Sequence, residues 1–118
     1  MTRRTQRINE ELRSELARLL STEASDPRVR GVTLTRVDVS PDLRNARVYW
    51  SHLEADDEEA ARTIDAGLER AASFLRRRLA HELPLKRMPA LHFRHDPSLA
   101  LGGQTLSLLR SIDDEPEI

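Results

Sequence analysis

The stretch from Ala66 to Arg87, AGLERAASFLRRRLAHELPLKR, constrains the chain more than any other. Wound as a helix at about 100° per residue, it has two unlike sides. Ile64, Leu68, Ala71, Ala72, Leu75 and Leu79 form an apolar stripe that has to be covered. Ala66, Arg70, Ser73 and Arg77 fall on the opposite side, with Arg76 and Arg78 on the flanks. A solvated face usually alternates charge signs, whereas this one is small and basic. Small residues admit a partner's backbone and arginines bind phosphate, which points toward nucleic acid. An ordinary amphipathic helix with an arginine-rich surface has the same pattern, and on this stretch alone that reading is the better supported.

The helical pattern extends back to about Asp57 and ends near Glu82, before Pro84. A bend is expected near Ser73, close to its middle. The acidic run LEADDEE precedes it. Carboxylates gather at helix N-termini because the dipole favours them there, and Asp56 with Glu59 has the spacing of a capping box. A metal site or acid–base pair is the weaker reading of that run.

Upstream, Arg3 to Glu23 repeats Ile8, Leu12, Leu16, Leu19 and Leu20 at the helical period, with Thr5 as N-cap. Arg3, Arg4 and Arg7 form a basic arm that either contacts phosphate or is simply solvated. Asp26-Pro27 ends the helical region. Val32 to Ser40 reads as a strand whose apolar phase changes between Leu34 and Val37; a β-bulge near Thr35-Arg36 would restore one face. After the Ser40-Pro41-Asp42 turn, Asn45 to Leu53 is a second strand, with Ala46, Val48 and Trp50 on one face and Arg47, Tyr49 and Ser51 on the other. The two form an antiparallel hairpin. Lys86 and Arg87 sit in the connector to a third strand, Ala90 to His95, with Leu91 and Phe93 inward. Strand, long helical crossover and strand imply a parallel pair. Leu99 to Gly103 reads as a hinge before a short last helix, Gln104 to Ile112.

With 118 residues the chain fits one domain, residues 1–112, followed by an acidic tail, residues 113–118, expected to be disordered. It has no cysteine, which excludes disulfides, thiolate zinc sites and cysteine nucleophiles. No apolar run is long enough for a signal or a span, so a cytoplasmic protein without membrane contact is expected. The net charge of −1 hides a segregation. Residues 60–95 hold eight basic side chains against three acids, while the segments on either side of them are net acidic. A near-neutral protein can therefore still carry a basic face. Of the four histidines, His92 and His95 would point to opposite faces of a strand and make a poor ligand pair. No nucleophile elbow, HExxH or Walker A pattern occurs, so no catalytic residue, metal or cofactor is expected.

The element order, α-β-β-α-α-β with a basic connection through paired helices, resembles a type II KH domain. Three stretches narrow the resemblance: RINEELRSELARLL, SDPRVRGVTLTRVDVSPDLRNARVYW and ALHFRHDPSLALGG. Together with SFLRRRL in the central helix they are similar to the ribosome-binding factor A family, over about Arg4 to Ser111. The resemblance implies an α+β fold with a three-stranded mixed sheet, helices on one face and a short C-terminal helix. It implies a bacterial, non-catalytic factor that associates with immature 30S small ribosomal subunits, assists late maturation and processing of 16S rRNA, and leaves. It implies no GxxG loop and an Ala-x-Gly kink. The aligned residues here are Ala71-Ala72-Ser73, with serine for glycine, so a shallower bend is expected. On this reading Arg70, Ser73, Arg76 and Arg77 face rRNA, extended by Arg78, Lys86 and Arg87, with Arg3 and Arg4 in the arm. The partners are the small subunit, its 16S rRNA and neighbouring ribosomal proteins, with no small-molecule substrate and a monomeric chain. The alternative is a KH-like protein-interaction module without direct rRNA contact.

Overall fold

The computed structural model describes residues 3–55 and 57–97. Helix α1 (Arg3–Thr22) leads to a 3-10 turn (Pro27–Val29), then strands β1 (Thr33–Val39) and β2 (Asn45–Ser51), helix α2 (Glu58–Glu82) and strand β3 (Ala90–His95). The sheet order is β1-β2-β3, with β1 and β2 antiparallel and β2 and β3 parallel. This is the mixed three-stranded sheet expected, and the order is consistent with a KH-like topology. The last helix and the tail read from the sequence lie outside the described residues.

Each element follows from its pattern. In α1, Ile8, Leu12, Leu16, Leu19 and Leu20 are all buried, while Glu10–Arg13 and Glu15–Arg18 pair along the exposed side. The helix already includes Arg3, so Thr5 lies inside the first turn instead of capping it. Asp26 takes the extended conformation that a following proline demands (φ −80°, ψ 117°), and its carboxylate accepts from the Arg28 N–H at 3.0 Å.

The ladder shifts register between Leu34 and Arg36, leaving Thr35 as the bulge residue, so Leu34, Val37 and Val39 all reach the core. The hairpin turn is fixed by side chains. Asp42 accepts from the Ser40 hydroxyl at 2.7 Å and the Arg44 N–H at 3.0 Å, while Leu43 is held at φ 61°.

Helix α2 is capped by Asp57, which accepts from the Ala60 N–H at 2.7 Å, one residue later than the Asp56 cap expected. Helical structure then runs unbroken through Ala71-Ala72-Ser73. The expected pair of helices is therefore a single element of 25 residues. Serine keeps its helical hydrogen bonds where glycine would loosen them, and no proline intervenes. Ile64, Leu68, Leu75 and Leu79 are buried, as is Gly67. A Cβ at Gly67 would stand 3.1 Å from a methyl of Val29 and 3.3 Å from the Asp26 carboxylate. The small residue admits the chain's own 3-10 turn to the helix. Between the layers lie Trp50, Val48, Leu34, Val37, Leu91 and Phe93. The indole N–H of Trp50 donates to Asp65 of α2 at 3.1 Å, and its ring packs 4.5 Å from that of His95.

Candidate nucleic-acid interface

The basic residues of α2 separate into three groups by what they touch. Arg76 reaches out of the helix to the connector. Its guanidinium donates to the carbonyl of Met88 at 2.7 and 3.2 Å and to that of Pro89 at 3.3 Å. These carbonyls have left the helix and not yet joined the strand, so a forked cation satisfies what the backbone cannot. The residue anchors the segment that carries Lys86 and Arg87. Arg76→Ala is expected to cost about 1.5 kcal/mol, the lower end for a charge-assisted bond because the side chain is exposed. Arg76→Lys should recover little of it, since an ammonium cannot span both carbonyls. Urea unfolding of the two variants checks this: full recovery by lysine would show that charge alone matters.

Arg78 is turned the other way, toward α1. It pairs with Glu23 at 3.0 Å and Glu82 at 3.6 Å, and Arg18 approaches the same two carboxylates at 4.0 and 3.9 Å. With Glu15, which also pairs with Arg18, two cations meet three anions where the C-terminal ends of α1 and α2 come together. Arg78 is therefore already committed to carboxylates of its own chain.

Ser73, Arg76 and Arg77 remain together, lining with Ala80 and Met88 a shallow cavity of about 350 Å³. Ser73, Arg77, Lys86 and Arg87 are exposed, and the three cations among them have no ion pair with the described residues. Because Arg76 holds Met88, the two basic residues just before it are tethered to the rim of this cavity. The result is a patch of positive charge over the C-terminal half of α2 and the connector that no described residue neutralises.

Arg70 stands apart. It borders a second cleft, of about 340 Å³, between α2 and the loop before the 3-10 turn, and leans on Asp26 at 3.9 Å. Asp26 is more firmly held by Arg28, whose guanidinium donates to it at 2.8 and 3.0 Å. The Arg28 guanidinium, then the Arg28 N–H and finally Arg70 hold its carboxyl at about 2, below the usual 3.8. A carboxyl lowered by folding stabilises the fold when ionised. That contribution is complete above the unfolded value and disappears as pH falls from about 4 toward 2. Asp26→Asn should consequently flatten the acid limb of a plot of melting temperature against pH. An unchanged limb would show that other carboxylates carry acid unfolding.

Arg3 and Arg4 are exposed at the beginning of α1. The α1–α2 ion pairs lie at the other end of that helix, about 20 Å away at 1.5 Å per residue. The nine sequence-derived residues thus do not form one surface. The structure gathers Ser73, Arg76 and Arg77, ties the connector of Lys86 and Arg87 to them through Met88, and leaves Arg70, Arg78, Arg3 and Arg4 at other places. The apolar stripe of α2 gives no notice of Gly67, though a glycine inside a strong helical pattern is itself a sign of close packing.

Two of the histidines are engaged within the fold. His92 pairs with Asn45 at 2.8 Å, while His95 sits on Trp50, and burial pushes its imidazole below the usual histidine range. Among the described residues no group of three or more His, Cys, Asp or Glu could hold a metal ion, and no helix is long and apolar enough to cross a membrane.

A family model described as ribosome-binding factor A matches residues 4–109. A ribosome-binding factor A of Alkalilimnicola ehrlichii is 41% identical over 114 residues, covering 97% of this chain and 85% of its own. One from Pseudomonas syringae pv. syringae is 44% identical over 107 residues, covering 90% and 77%. The crystal structure of ribosome-binding factor A from Thermus thermophilus superposes with a TM-score of 0.67 at 26% identity, over 77% of this chain and 94% of that one. The solution structure of a putative ribosome binding factor A from Thermotoga maritima gives 0.68 at 29%, over 78% and 86%.

Proposed function

This chain belongs to the ribosome-binding factor A family, and we propose that it associates with immature 30S subunits and assists late maturation and processing of 16S rRNA. It acts by binding and catalyses no bond change. One observation carries the choice of surface: Arg77 stands exposed and without an ion pair to the described residues at a cavity it lines with Ser73 and Arg76, Arg76 ties the connector that carries Lys86 and Arg87 to that cavity through Met88, and the other side of the helix is buried. Their role is phosphate contact, which supplies affinity and orientation and carries little sequence information. Arg70, beside the second cleft and leaning on Asp26, adds a separate basic point one turn earlier on α2. Specificity then comes from the shape of the RNA and from neighbouring ribosomal proteins. The protein works as a monomer in the bacterial cytoplasm and needs no cofactor.

A pure protein-interaction module would present an apolar patch. Among the described residues Leu53 is the exposed large hydrophobic side chain, and it lies outside this surface. That favours RNA as the direct contact. The function is tested in a bacterium deprived of the protein, by the ratio of precursor to mature 16S rRNA. Precursor should accumulate and fall again when the protein is restored. An unaltered ratio would count against a role in maturation.

A further inference from the structure

The helices cover one face of the sheet. Leu34, Val37, Val48, Trp50, Leu91 and Phe93 turn toward them and are buried. Side chains alternate along a strand, so the residues between point the other way. Strand register sets these in two rows. Arg36, Tyr49 and Arg94 are neighbours across β1, β2 and β3, and beside them lie Asp38, Arg47 and His92. Arg36, His92 and Arg94 are exposed and the other three half-buried.

Three arginines against one aspartate make this face basic, and the aspartate is used within it. The Arg36 guanidinium sits 4.3 Å above the Tyr49 ring and pairs with Asp38 at 2.9 Å. The ring beneath and the carboxylate beside keep a planar cation in one place. Arg47 and Arg94 flank it and have no ion pair with the described residues. Asp96 bounds one end of the face, its carboxylate accepting from the Thr35 hydroxyl at 2.7 Å.

We propose that this sheet face, uncovered by any described element, is a second RNA-binding surface, which takes a single-stranded segment with a base stacked on Arg36 and phosphates on Arg47 and Arg94. It rests on the reading that the protein works on ribosomal RNA, and adds a contact on the layer opposite the α2 patch. Charge complementarity selects the occupant. The centre of a protein interface is poor in charge and rich in apolar side chains, and this face is the reverse. A guanidinium plane is a stacking platform for unpaired bases, whereas a duplex keeps its bases inside. With one surface on each layer, the protein would hold two RNA segments apart or together during folding of the subunit.

The test is fluorescence anisotropy with labelled oligouridine across a salt series, alongside cosedimentation with small subunits. The wild type should bind oligouridine saturably. Arg47→Gln with Arg94→Gln should reduce the slope of log K against log salt by about 1.4, at about 0.7 for each single-strand phosphate contact. Arg36→Lys keeps the charge and loses the plane, so affinity should fall about tenfold with the slope unchanged. If the double variant melts early, Arg94→Gln alone should give about half the slope change. An α2 variant, Arg77→Glu with Lys86→Glu, should still bind oligouridine. Wild-type slope and affinity in all the sheet variants would overturn the sheet surface while leaving the α2 patch standing. Binding to small subunits without binding to oligouridine would overturn it too, pointing to a protein or a shaped RNA as occupant. Failure to bind either would remove both readings.

Discussion

Trp50→Ala is expected to remove a large part of the protein's stability. Trp50 is fully buried near the end of the middle strand, paired with Leu34 of β1 on one side and His95 of β3 on the other. Truncation to alanine removes the largest core side chain and leaves a cavity whose walls belong to all three strands. Such changes cost about 3–5 kcal/mol, against a total stability of about 5–15 kcal/mol for a domain. At about 4 °C or more for each kcal/mol, the melting temperature should fall by at least about 12 °C. Trp50→Phe separates the two parts of the effect. It keeps most of the ring but deprives Asp65 of the indole donor, at about 1–3 kcal/mol. Thermal melting of both variants reads this directly. A decrease of only a few degrees for Trp50→Ala would mean that the layers are not pinned through this residue.

The second large effect concerns binding and should leave stability alone. Arg77→Glu with Lys86→Glu reverses two exposed charges that no acid of the described chain neutralises. Both face solvent, so the melting temperature should remain within a few degrees of wild type. Each replacement removes a phosphate contact and adds a repulsion, and affinity for small subunits should fall by at least about a hundredfold at low salt. Arg78 makes the instructive contrast. Arg78→Glu would put a third carboxylate beside Glu23 and Glu82, so any loss of binding would be confounded by loss of fold. Unchanged binding in the Arg77 and Lys86 variant would take this patch out of the interface.

Much of the architecture can be read from periodicity because burial enforces it. The phase change between Leu34 and Val37 foretells the bulge, since only an extra residue allows both to reach the core. Leu91 and Phe93 place β3 with its inner face correctly assigned. The long helix is legible from its stripe, but its continuity through Ser73 is not, because the family pattern has glycine there and serine permits either geometry. Asp57 displaces Asp56 as cap because adjacent acids are chemically equal and only the backbone path chooses between them.

The candidate surface is less legible than the fold. Arg76, Arg77 and Arg78 are consecutive and identical in sequence, yet one anchors a connector, one faces solvent and one joins an ion-pair cluster on α1. A turn of about 100° per residue sends them in three directions, and what each meets is set by segments distant in the chain. The open sheet face is hidden for a similar reason. Arg36, Arg47 and Arg94 are scattered along the sequence and become neighbours only through strand register.

The proposed function has a near-neutral protein bind the small subunit through local basic surface. Its most direct test is cosedimentation of the purified protein with isolated small and large ribosomal subunits over a series of salt concentrations. Saturable binding to small but not large subunits is expected, weakening steeply and linearly on a log–log plot as salt rises. Absence of binding to small subunits at low salt, or binding indifferent to salt, would contradict it.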